Sequence, residues 1–385
     1  MTTRIRAEVG NVAESPMVLI ATIAESMPGS LKLCYGESDM PTPEFICRAA
    51  DEAVRNGHTF YTHTAGYREL REAIAAKVFA LHGVTYRGSE VMSTVGASMA
   101  IFTAIRTCVG PGDNAVIISP TYAIFSNGVI LSGGEPRPVA LARDGARFRL
   151  DVDRVRAAID SRTRMLIVNS PCNPTGWVIS VDDQRALAEL AERHDLVILS
   201  DEVYERLVFD APIAASMARV MDKDRLIVVN SFSKTYNMTG WRLGWAQSSE
   251  PMIRAMYKAA EFITSNATAM VQQAGIVALR DGEPYIADLR AHYTARRDQV
   301  VTALGAIPGV SLPEPQGAFY AFPRTDGLVD STDFTARLVK ETGVAFAPGV
   351  GFGASGEGYI RMCFAASEQT VTEALARFTG FMSVR

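Results

Sequence analysis

The chain has 385 residues, which is too long for one ordinary hydrophobic core, so we expect a large domain, a smaller one and a cleft between them. Its composition, with 48% hydrophobic and 21% charged residues and a formal net charge of -4, is typical of a globular protein in water. A weakly acidic chain has no broad attraction to nucleic acid or anionic membranes, so we expect a small, partly anionic metabolite as ligand.

The cysteines and the N-terminal segment indicate a cytoplasmic protein. The 5 cysteines form no CxxC pair and no regular spacing, which favours reduced thiols over a disulfide framework or a zinc site. Acidic residues stand close behind the first arginines, and no small-residue cleavage site follows an apolar run, so no signal peptide is predicted. The longest apolar stretch of this segment, Met17–Ala24, is far too short to span a bilayer.

Three units are predicted along the chain. Residues 1–45 hold the Met17–Ala24 stretch and a Pro41-Thr42-Pro43 turn, and they cannot form a core alone. We expect this arm to pack on the smaller domain or on a second subunit. Residues 46–283 form the predicted large domain, and residues 284–385, with part of the arm, form the smaller one.

From about residue 90, short β-branched apolar runs alternate with longer amphipathic segments. This pattern is typical of an α/β domain whose mainly parallel sheet is covered by helices. The predicted strands are Val91–Val95, Ala115–Ser119, Pro136–Leu141, Met165–Asn169, Leu196–Ser200 and Leu226–Asn230. The predicted helices are Arg68–His82, which ends at Gly83, and Ser98–Cys108, Asp151–Asp160, Val181–His194 and Glu250–Ile263.

The C-terminal part has a different pattern. Gly282–Pro284 interrupts the chain before a long helix that runs towards Leu304, and we place the domain boundary at this break. Separated short strands and helices then indicate a small α+β domain. Its predicted strands are Phe319–Phe322 and Gly358–Phe364, and its predicted helices are Ser331–Thr342 and Glu368–Phe381.

The segment Ser231-Phe232-Ser233-Lys234, directly after a predicted strand, carries the strongest chemical signal. A lysine at a strand end is commonly a solvated loop charge. Here two hydroxyls precede the lysine and Arg242 follows it, which gives donors and fixed charge that suit a phosphate. A lysine near another cation in a desolvated cleft has a lowered pKa. We therefore expect Lys234 to act as an imine-forming nucleophile.

Two more polar segments follow neighbouring predicted strands. Asp201-Glu202-Val203-Tyr204 could simply cap a helix, but a buried carboxylate near Lys234 would keep a pyridine nitrogen protonated. Tyr204 would then donate to the phenolic oxygen of such a ring. Asn173-Pro174-Thr175-Gly176 is by itself an ordinary turn signal. Because it lies one βα unit before Asp201, we expect the three strand ends to converge on one crevice.

With these segments, the chain resembles the class I and II aminotransferases, the fold-type I pyridoxal-phosphate enzymes of the aspartate and aromatic aminotransferase family. The likeness extends over nearly the whole chain. It is carried by Gly36-Glu37-Ser38-Asp39, Tyr61-Thr62-His63-Thr64-Ala65-Gly66, Asn173–Gly176, Asp201–Tyr204, Ser231–Lys234 and Arg361. The resemblance implies a seven-stranded, mainly parallel sheet between helices, pyridoxal 5'-phosphate as cofactor, and a homodimer with shared active sites.

The resemblance also implies a role for each cofactor-binding residue. Lys234 would hold the cofactor as an internal imine and shuttle the α-proton, and Asp201 would pair with the pyridine nitrogen. Tyr204 and Asn173 would contact the phenolic oxygen of the ring. The phosphate would be held by Ser231, Arg242 and the turn Gly96-Ala97-Ser98 at a helix start, where backbone amides suit an anion.

Three further side chains have both an ordinary and a functional interpretation. Tyr122 is either a buried aromatic at a strand end or, by the resemblance, a ring stacked on the cofactor. Tyr61 resembles a tyrosine that reaches the phosphate in the neighbouring subunit. Arg361, in a predicted apolar strand, needs a partner. That partner is either a structural carboxylate or, by the resemblance, the substrate α-carboxylate, bound with Asn173 and the backbone of Gly36.

The sequence Gly351-Phe352-Gly353-Ala354-Ser355-Gly356 fits the GxGxxG pattern of nucleotide-binding loops. A strand rather than a helix follows it, so we interpret it as a flexible loop beside Arg361. The 5 histidines are scattered without ligand spacing, and no metal site is predicted.

The expected reaction moves the amino group of an amino acid to a 2-oxo acid by a ping-pong mechanism. A lyase, a decarboxylase or an oxidase would use the same cofactor residues, so the residues leave these reactions open. A non-catalytic regulator is disfavoured, because the segment before Gly36 has no helix-turn-helix pattern and no basic patch. No second arginine is assigned to a distal substrate carboxylate, so the amino donor also stays open.

Overall fold

A computed structural model describes residues 4–383. Its central element is a seven-stranded sheet, and six of the strands run parallel. The fold class predicted from the sequence, α/β with a mainly parallel sheet between helices, is confirmed. In spatial order the strands are Val91–Val95, Leu243–Gln247, Leu226–Ser231, Val197–Asp201, Thr163–Asn169, Asn114–Ser119 and Glu135–Ala140.

The sheet is buried on both faces, which explains why its strands are nearly continuous apolar runs rather than alternating ones. Successive side chains of one strand belong to different cores: Ile117 lies in one and Ile118 in the other. One face is covered by the helices Gly96–Cys108, Ile124–Leu131 and Glu250–Thr264. The opposite face is covered by Glu44–Arg55, Arg68–His82, Val152–Ala158, Val181–Arg193 and Ala269–Asp281.

The C-terminal part has its own hydrophobic core, centred on aromatic side chains such as Phe319, Tyr320 and Phe364. Its helices are Glu283–Gly305, Ser331–Thr342 and Glu368–Ser383. A three-stranded sheet joins Tyr320–Ala321, Ile360–Cys363 and Ala347–Pro348.

Three two-stranded pairs lie elsewhere among the described residues. They are formed by Leu31–Lys32 with Val344–Ala345, by Val310–Ser311 with Arg324–Thr325, and by Ala142–Asp144 with Arg147–Arg149.

The N-terminal segment forms the helices Ala7–Gly10 and Pro16–Glu25. The second of these packs against the helix Ser331–Thr342, so this N-terminal segment contacts the C-terminal part of the chain. The division into units at residues 45 and 283 stays a prediction. Between residues 4 and 383, no helix is both long enough and apolar enough to cross a membrane.

All six strands predicted for the large sheet are confirmed to within two residues at each end. The helices Arg68–His82 and Ser331–Thr342 are confirmed without change. The predicted helix Asp151–Asp160 is too long, because Asp151 is the N-cap whose side chain accepts a hydrogen bond from the Arg154 backbone. The antiparallel strand Leu243–Gln247 was not predicted, since it is short and contains Gly244.

Gly244 allows this unpredicted strand to lie against the first turn of the helix Gly96–Cys108. A Cβ atom at position 244 would lie 2.6 Å from the Ala97 nitrogen and 2.7 Å from the Gly96 carbonyl carbon. Real Cβ atoms do not approach backbone this closely, so a side chain here would push the helix start away from the sheet. The position of the helix start at Gly96 therefore depends on Gly244 in the neighbouring strand.

We predict that Gly244→Ala destabilises the protein by roughly 1–3 kcal/mol, because the added methyl group overpacks this contact. Gly240→Ala is the matched control, since a Cβ atom there meets nothing within 4 Å. The control should change stability by less than about 0.5 kcal/mol. Thermal unfolding followed by circular dichroism compares the two variants, and equal midpoints would contradict the prediction.

Candidate active site

The parallel strands end at one edge of the sheet, where their last residues are polar. Asn169, Asp201 and Ser231 end three neighbouring strands, and Asn169 lies directly opposite Asp201 in the strand register. The carboxyl ends of parallel strands are where open α/β sheets bind ligands. A cavity of about 810 Å³ opens at this edge.

The cavity brings together nearly all of the residues singled out in the sequence. Its lining includes Gly36, Ala97, Ser98, Tyr122, Asn173, Asp201, Tyr204, Ser231, Lys234, Arg242 and Arg361. Gly96 is not part of this lining, but it lies against Arg242, which is. Tyr61 lies elsewhere, with 89% of its surface exposed.

Lys234 lies in the short helix Phe232–Thr235 that follows the strand Leu226–Ser231. Its Nζ donates a hydrogen bond to the carbonyl of Gly36, at 2.5 Å. The amine forms no ion pair with any carboxylate of residues 4–383. Loss of surrounding water lowers the pKa of Lys234 to about 8, and the nearby Arg361 and Arg242 charges act in the same direction. Part of this amine is therefore neutral near physiological pH.

Asp201 is buried at the end of its strand, with 5% of its surface exposed. One carboxylate oxygen accepts a hydrogen bond from the backbone nitrogen of Val203, at 3.1 Å. Burial raises the pKa of Asp201 to about 7, because the charged form loses its hydration. A cationic group placed beside this carboxylate in the cavity would favour its charged form.

Arg361 is held by contacts on every side. One terminal nitrogen donates to the Asn173 side chain at 2.9 Å, and the other donates to the carbonyl of Cys34. The guanidinium lies between the rings of Tyr320 and Phe352, 4.6 and 4.8 Å from their centroids. Its Nε is buried without a partner in the described part of the chain. These contacts fix the orientation of the fork and leave donor capacity for an anion.

This geometry corrects one interpretation of Arg361. No carboxylate of the described residues pairs with it, so the structural ion pair considered from the sequence is wrong. Asn173, expected beside Arg361 at the substrate carboxylate, accepts a hydrogen bond from Arg361, and the carbonyl of Gly36 accepts one from Lys234. The GxGxxG loop does lie beside Arg361, through the Phe352 ring.

The helix start at Gly96 and the guanidinium of Arg242 lie together at one corner of the cavity. Gly96 has a φ of 70°, and a Cβ atom there would lie 2.3 Å from a terminal nitrogen of Arg242. Arg242 donates to the carbonyl of Thr239 at 2.8 Å. The Ser231 hydroxyl accepts from the Ser233 backbone at 3.0 Å. Amides, hydroxyls and a guanidinium at a helix N-terminus are groups that bind phosphate.

Tyr320 is a residue of the site that the sequence analysis missed. Its hydroxyl lies 2.7 Å from the hydroxyl of Tyr204, and both side chains are buried. A Cβ atom at Gly36 would lie 2.5 Å from this same hydroxyl. Tyr320 thus contacts Tyr204, Arg361 and the backbone near Gly36 at once. Tyr320 reaches the site because its strand pairs with the strand of Arg361. No local pattern in the sequence reveals this pairing.

A polar cluster lies behind Asp201. His82, Glu202 and Glu205 place one potential ligand atom each within 4.8 Å of one another. The His82 ring bonds Glu205 at 2.8 Å, and Glu202 accepts from the Ser200 hydroxyl and the Met217 backbone. Burial raises the pKa of Glu202 to about 7. The absence of a metal site stays a prediction of the sequence.

The comparisons with known proteins agree with this geometry. The family model for aminotransferase class I and II matches residues 28–378. The chain belongs to the class I and II aminotransferases. It is 36% identical to aromatic-amino-acid aminotransferase 2 of Thermococcus litoralis over 360 residues, which are 92% of each chain. It is also 36% identical to an aspartate aminotransferase of Pyrococcus abyssi, again over 92% of each chain.

Solved structures give the same result. A Thermus thermophilus aspartate aminotransferase with maleate is similar with a TM-score of 0.92 and 33% identity, covering 98% of this chain and 100% of the other. The protein is therefore an enzyme that transfers amino groups and uses pyridoxal phosphate. The comparisons do not support the lyase and oxidase reactions that the sequence left open.

The residues of the cavity fit this cofactor. An amine with a lowered pKa suits an aldehyde, and a buried carboxylate suits a cationic ring nitrogen. The corner at Gly96 and Arg242 offers donors for a phosphate, at a position where only glycine leaves room for the guanidinium. The volume of about 810 Å³ accommodates a cofactor and a small substrate together.

We predict that the lowered pKa of Lys234 is visible in cofactor binding. After removal of pyridoxal phosphate, the rate of its covalent recapture should rise through a midpoint at about pH 8 and level off about one pH unit higher, because only the neutral amine attacks an aldehyde. The growth of absorbance on recapture gives the rate at each pH. Nα-acetyl-lysine, whose free ε-amine has the ordinary pKa of a lysine side chain, is the control, and its rate should keep rising towards about pH 10. Parallel profiles would contradict the prediction.

Proposed function

We propose that this aminotransferase moves the amino group of an amino acid to a 2-oxo acid in two half-reactions at one site, with Lys234 as the base. The observation that carries the proposal is the Lys234 amine, whose pKa is lowered to about 8 in the cavity that Arg361 also lines. Such an amine can accept a proton near neutral pH, and Arg361 can hold a carboxylate within reach of it.

Pyridoxal phosphate, when bound, supplies an electron sink that stabilises negative charge on the substrate Cα atom. Lys234 Nζ would accept the proton that the substrate Cα loses and would later give that proton back. The hydrogen bond to the Gly36 carbonyl holds this amine in the cavity before the cofactor binds. Because the same residue removes and returns the proton, one base serves both half-reactions.

The other cavity residues hold the cofactor in this proposal. Asp201 would keep the ring nitrogen protonated. Its carboxylate is buried and forms no ion pair with the described residues, so a cation would be a favourable partner. Tyr204 and Asn173 would contact the phenolic oxygen, and Tyr122 would stack on the ring. The phosphate would be bound by Ser231, Arg242 and the helix start Gly96-Ala97-Ser98.

Arg361 binds the α-carboxylate of the substrate, with Asn173 and the Gly36 segment beside it. The two flanking rings and the bonds to Asn173 and Cys34 support this role, because they orient the guanidinium in advance. Tyr320 positions the two halves of the site in this proposal. Its ring supports Arg361, and its hydroxyl holds the hydroxyl of Tyr204.

The enzyme acts as a homodimer in this proposal, and Tyr61 completes the phosphate site of the partner subunit. Phe60 and Tyr61 are 79% and 89% exposed, and Phe262 at the end of a nearby helix is 89% exposed. The two segments are neighbours, since the His63 ring packs on Tyr257 of that helix. Exposed aromatic side chains grouped in this way are typical of a protein interface. A cytoplasmic location stays a prediction of the sequence.

We predict that the enzyme, mixed with an amino acid alone, forms pyridoxamine phosphate and one equivalent of the 2-oxo acid per site. This result is expected because the amino group stays on the cofactor when no acceptor is present. Cofactor absorbance and product chromatography measure both species. Ammonia released from a single substrate, without pyridoxamine phosphate, would contradict amino-group transfer. Lys234→Ala is the control that should form neither product at a measurable rate.

We predict that two defective variants complement each other if the active sites are shared. Tyr61→Ala and Lys234→Ala subunits, unfolded and refolded together, should form mixed dimers in which one site has both native residues. Random pairing of equal amounts gives about a quarter of the wild-type activity, above that of either variant alone. Activity equal to the average of the separate variants would contradict a role for Tyr61 across the interface.

A further inference from the structure

The hydroxyls of Tyr204 and Tyr320 lie 2.7 Å apart, and by distance alone either one could donate the hydrogen bond between them. Both side chains are buried, and their rings meet edge to face, with centroids 5.8 Å apart and planes at 82°. The Tyr204 ring also meets Phe319 edge to face, at 5.4 Å. These ring contacts hold the two hydroxyls together, so the direction of the hydrogen bond is the freedom that remains.

The surroundings of the Tyr320 hydroxyl decide this direction. On one side it lies against Gly36, where a Cβ atom would be 2.5 Å from the hydroxyl oxygen. Among residues 4–383, Tyr204 is its one hydrogen-bond partner, so no other acceptor competes for the Tyr320 proton. A tyrosine hydroxyl carries a single proton. When Tyr204 gives its proton to the phenolic oxygen of the cofactor, Tyr320 therefore has to donate the bond between the two hydroxyls.

We propose that Tyr320, by donating to Tyr204, sets the protonation of the cofactor bound to Lys234. This inference rests on the proposed function, because it takes Tyr204 as the donor to the phenolic oxygen. A hydroxyl that accepts a hydrogen bond becomes a stronger donor, since consecutive hydrogen bonds polarise one another. Tyr320 is thus a positioning residue that acts through Tyr204.

The sign of the effect follows from the charges on the bound cofactor. The ionised phenolic oxygen is negative, and it favours a proton on the nitrogen that joins the cofactor to Lys234. A donor to this oxygen stabilises its negative charge, weakens the attraction for the proton and lowers the pKa of the nitrogen. Loss of the Tyr320 hydroxyl weakens the donor, so the pKa of the nitrogen should rise.

The titratable and charged groups around the two tyrosines and Lys234 are unchanged when the Tyr320 hydroxyl alone is removed. These groups are Glu37, Tyr122, Asp201, Arg242, Arg361 and Cys363. Burial raises the pKa of both Tyr204 and Tyr320 above the usual value of a tyrosine, so both hydroxyls keep their protons near neutral pH. A shift in Tyr320→Phe therefore reports the lost hydrogen bond.

The test is a pH titration of the cofactor absorbance in the holoenzyme, which needs no substrate and no turnover. Protonation of the nitrogen changes the colour of the bound cofactor, and the midpoint of the change gives its pKa. Tyr320→Phe keeps the ring that packs on Arg361 and should raise this midpoint by about half a pH unit. Tyr204→Phe removes the donor itself and should raise the midpoint by about one pH unit or more. A midpoint that stays the same or falls in Tyr320→Phe would overturn the inference.

A double variant tests whether Tyr320 acts through Tyr204. Once Tyr204 has lost its hydroxyl, Tyr320 has no donor to strengthen, so adding Tyr320→Phe to Tyr204→Phe should leave the midpoint of Tyr204→Phe unchanged. If the second substitution raises the midpoint as much as it does in the wild-type background, the two hydroxyls act independently and the inference is wrong.

Tyr293→Phe is the matched control for the loss of a buried tyrosine hydroxyl. The Tyr293 ring is fully buried and packs on Phe319 at 5.5 Å, as the Tyr320 ring does at 4.8 Å. Its hydroxyl bonds neither Tyr204 nor Tyr320. We expect the midpoint of Tyr293→Phe to match that of the wild type. Equal shifts in Tyr293→Phe and Tyr320→Phe would assign the effect to packing and overturn the inference.

The outcomes distinguish this inference from the proposed function. A shift in Tyr204→Phe without one in Tyr320→Phe overturns the role of Tyr320 and leaves Tyr204 as the donor to the phenolic oxygen. No shift in either variant overturns both assignments, because Tyr204 would then not contact this oxygen. Shifts in both variants that do not add in the double variant support both.

Discussion

The active site depends on two ionisable side chains, Asp201 and Lys234, that are deprived of water at the same edge of the sheet. Desolvation moves their pKa values towards each other, to about 7 for the acid and about 8 for the amine. Both groups can therefore change charge near neutral pH. The parallel strands, whose carboxyl ends meet at one edge, are the reason that residues so far apart in sequence share this environment.

The C-terminal part contributes Arg361 and Tyr320, which orient the substrate in the proposed function. Arg361 cannot rotate freely, because two aromatic rings and two hydrogen-bond acceptors enclose it. Tyr320 links this arginine to Tyr204, which follows the strand Val197–Asp201, through a hydroxyl pair 2.7 Å apart. The orientation of the carboxylate-binding group is thus coupled to the groups around the proposed cofactor ring.

Much of the site could be predicted because its residues stand directly after strands that are easy to recognise. Asp201 and Ser231 each come directly after a predicted apolar strand, and in the structure each is the last residue of its strand. Because these strands are parallel, both residues lie at the same edge of the sheet. Family resemblance then added Arg361 and Tyr122, because no pattern of apolar residues in the sequence assigns either side chain to the site. The strand Leu243–Gln247 was missed because a glycine interrupts its apolar pattern, and that glycine is needed for contact with the helix start at Gly96.

Other features were out of reach for a physical reason. Tyr320 acquires its contacts through strand pairing and a hydroxyl partner 116 positions away in the chain, and a single sequence does not encode such pairing in a local pattern.

The central claim is that Lys234 forms the covalent bond to pyridoxal phosphate. The most direct measurement is reduction of the holoenzyme with sodium borohydride, which makes that bond permanent, followed by digestion and mass spectrometry of the modified peptide. The account predicts a phosphopyridoxyl group on Lys234 and on no other lysine. Attachment to a different lysine, or no attachment in an active enzyme, would contradict it.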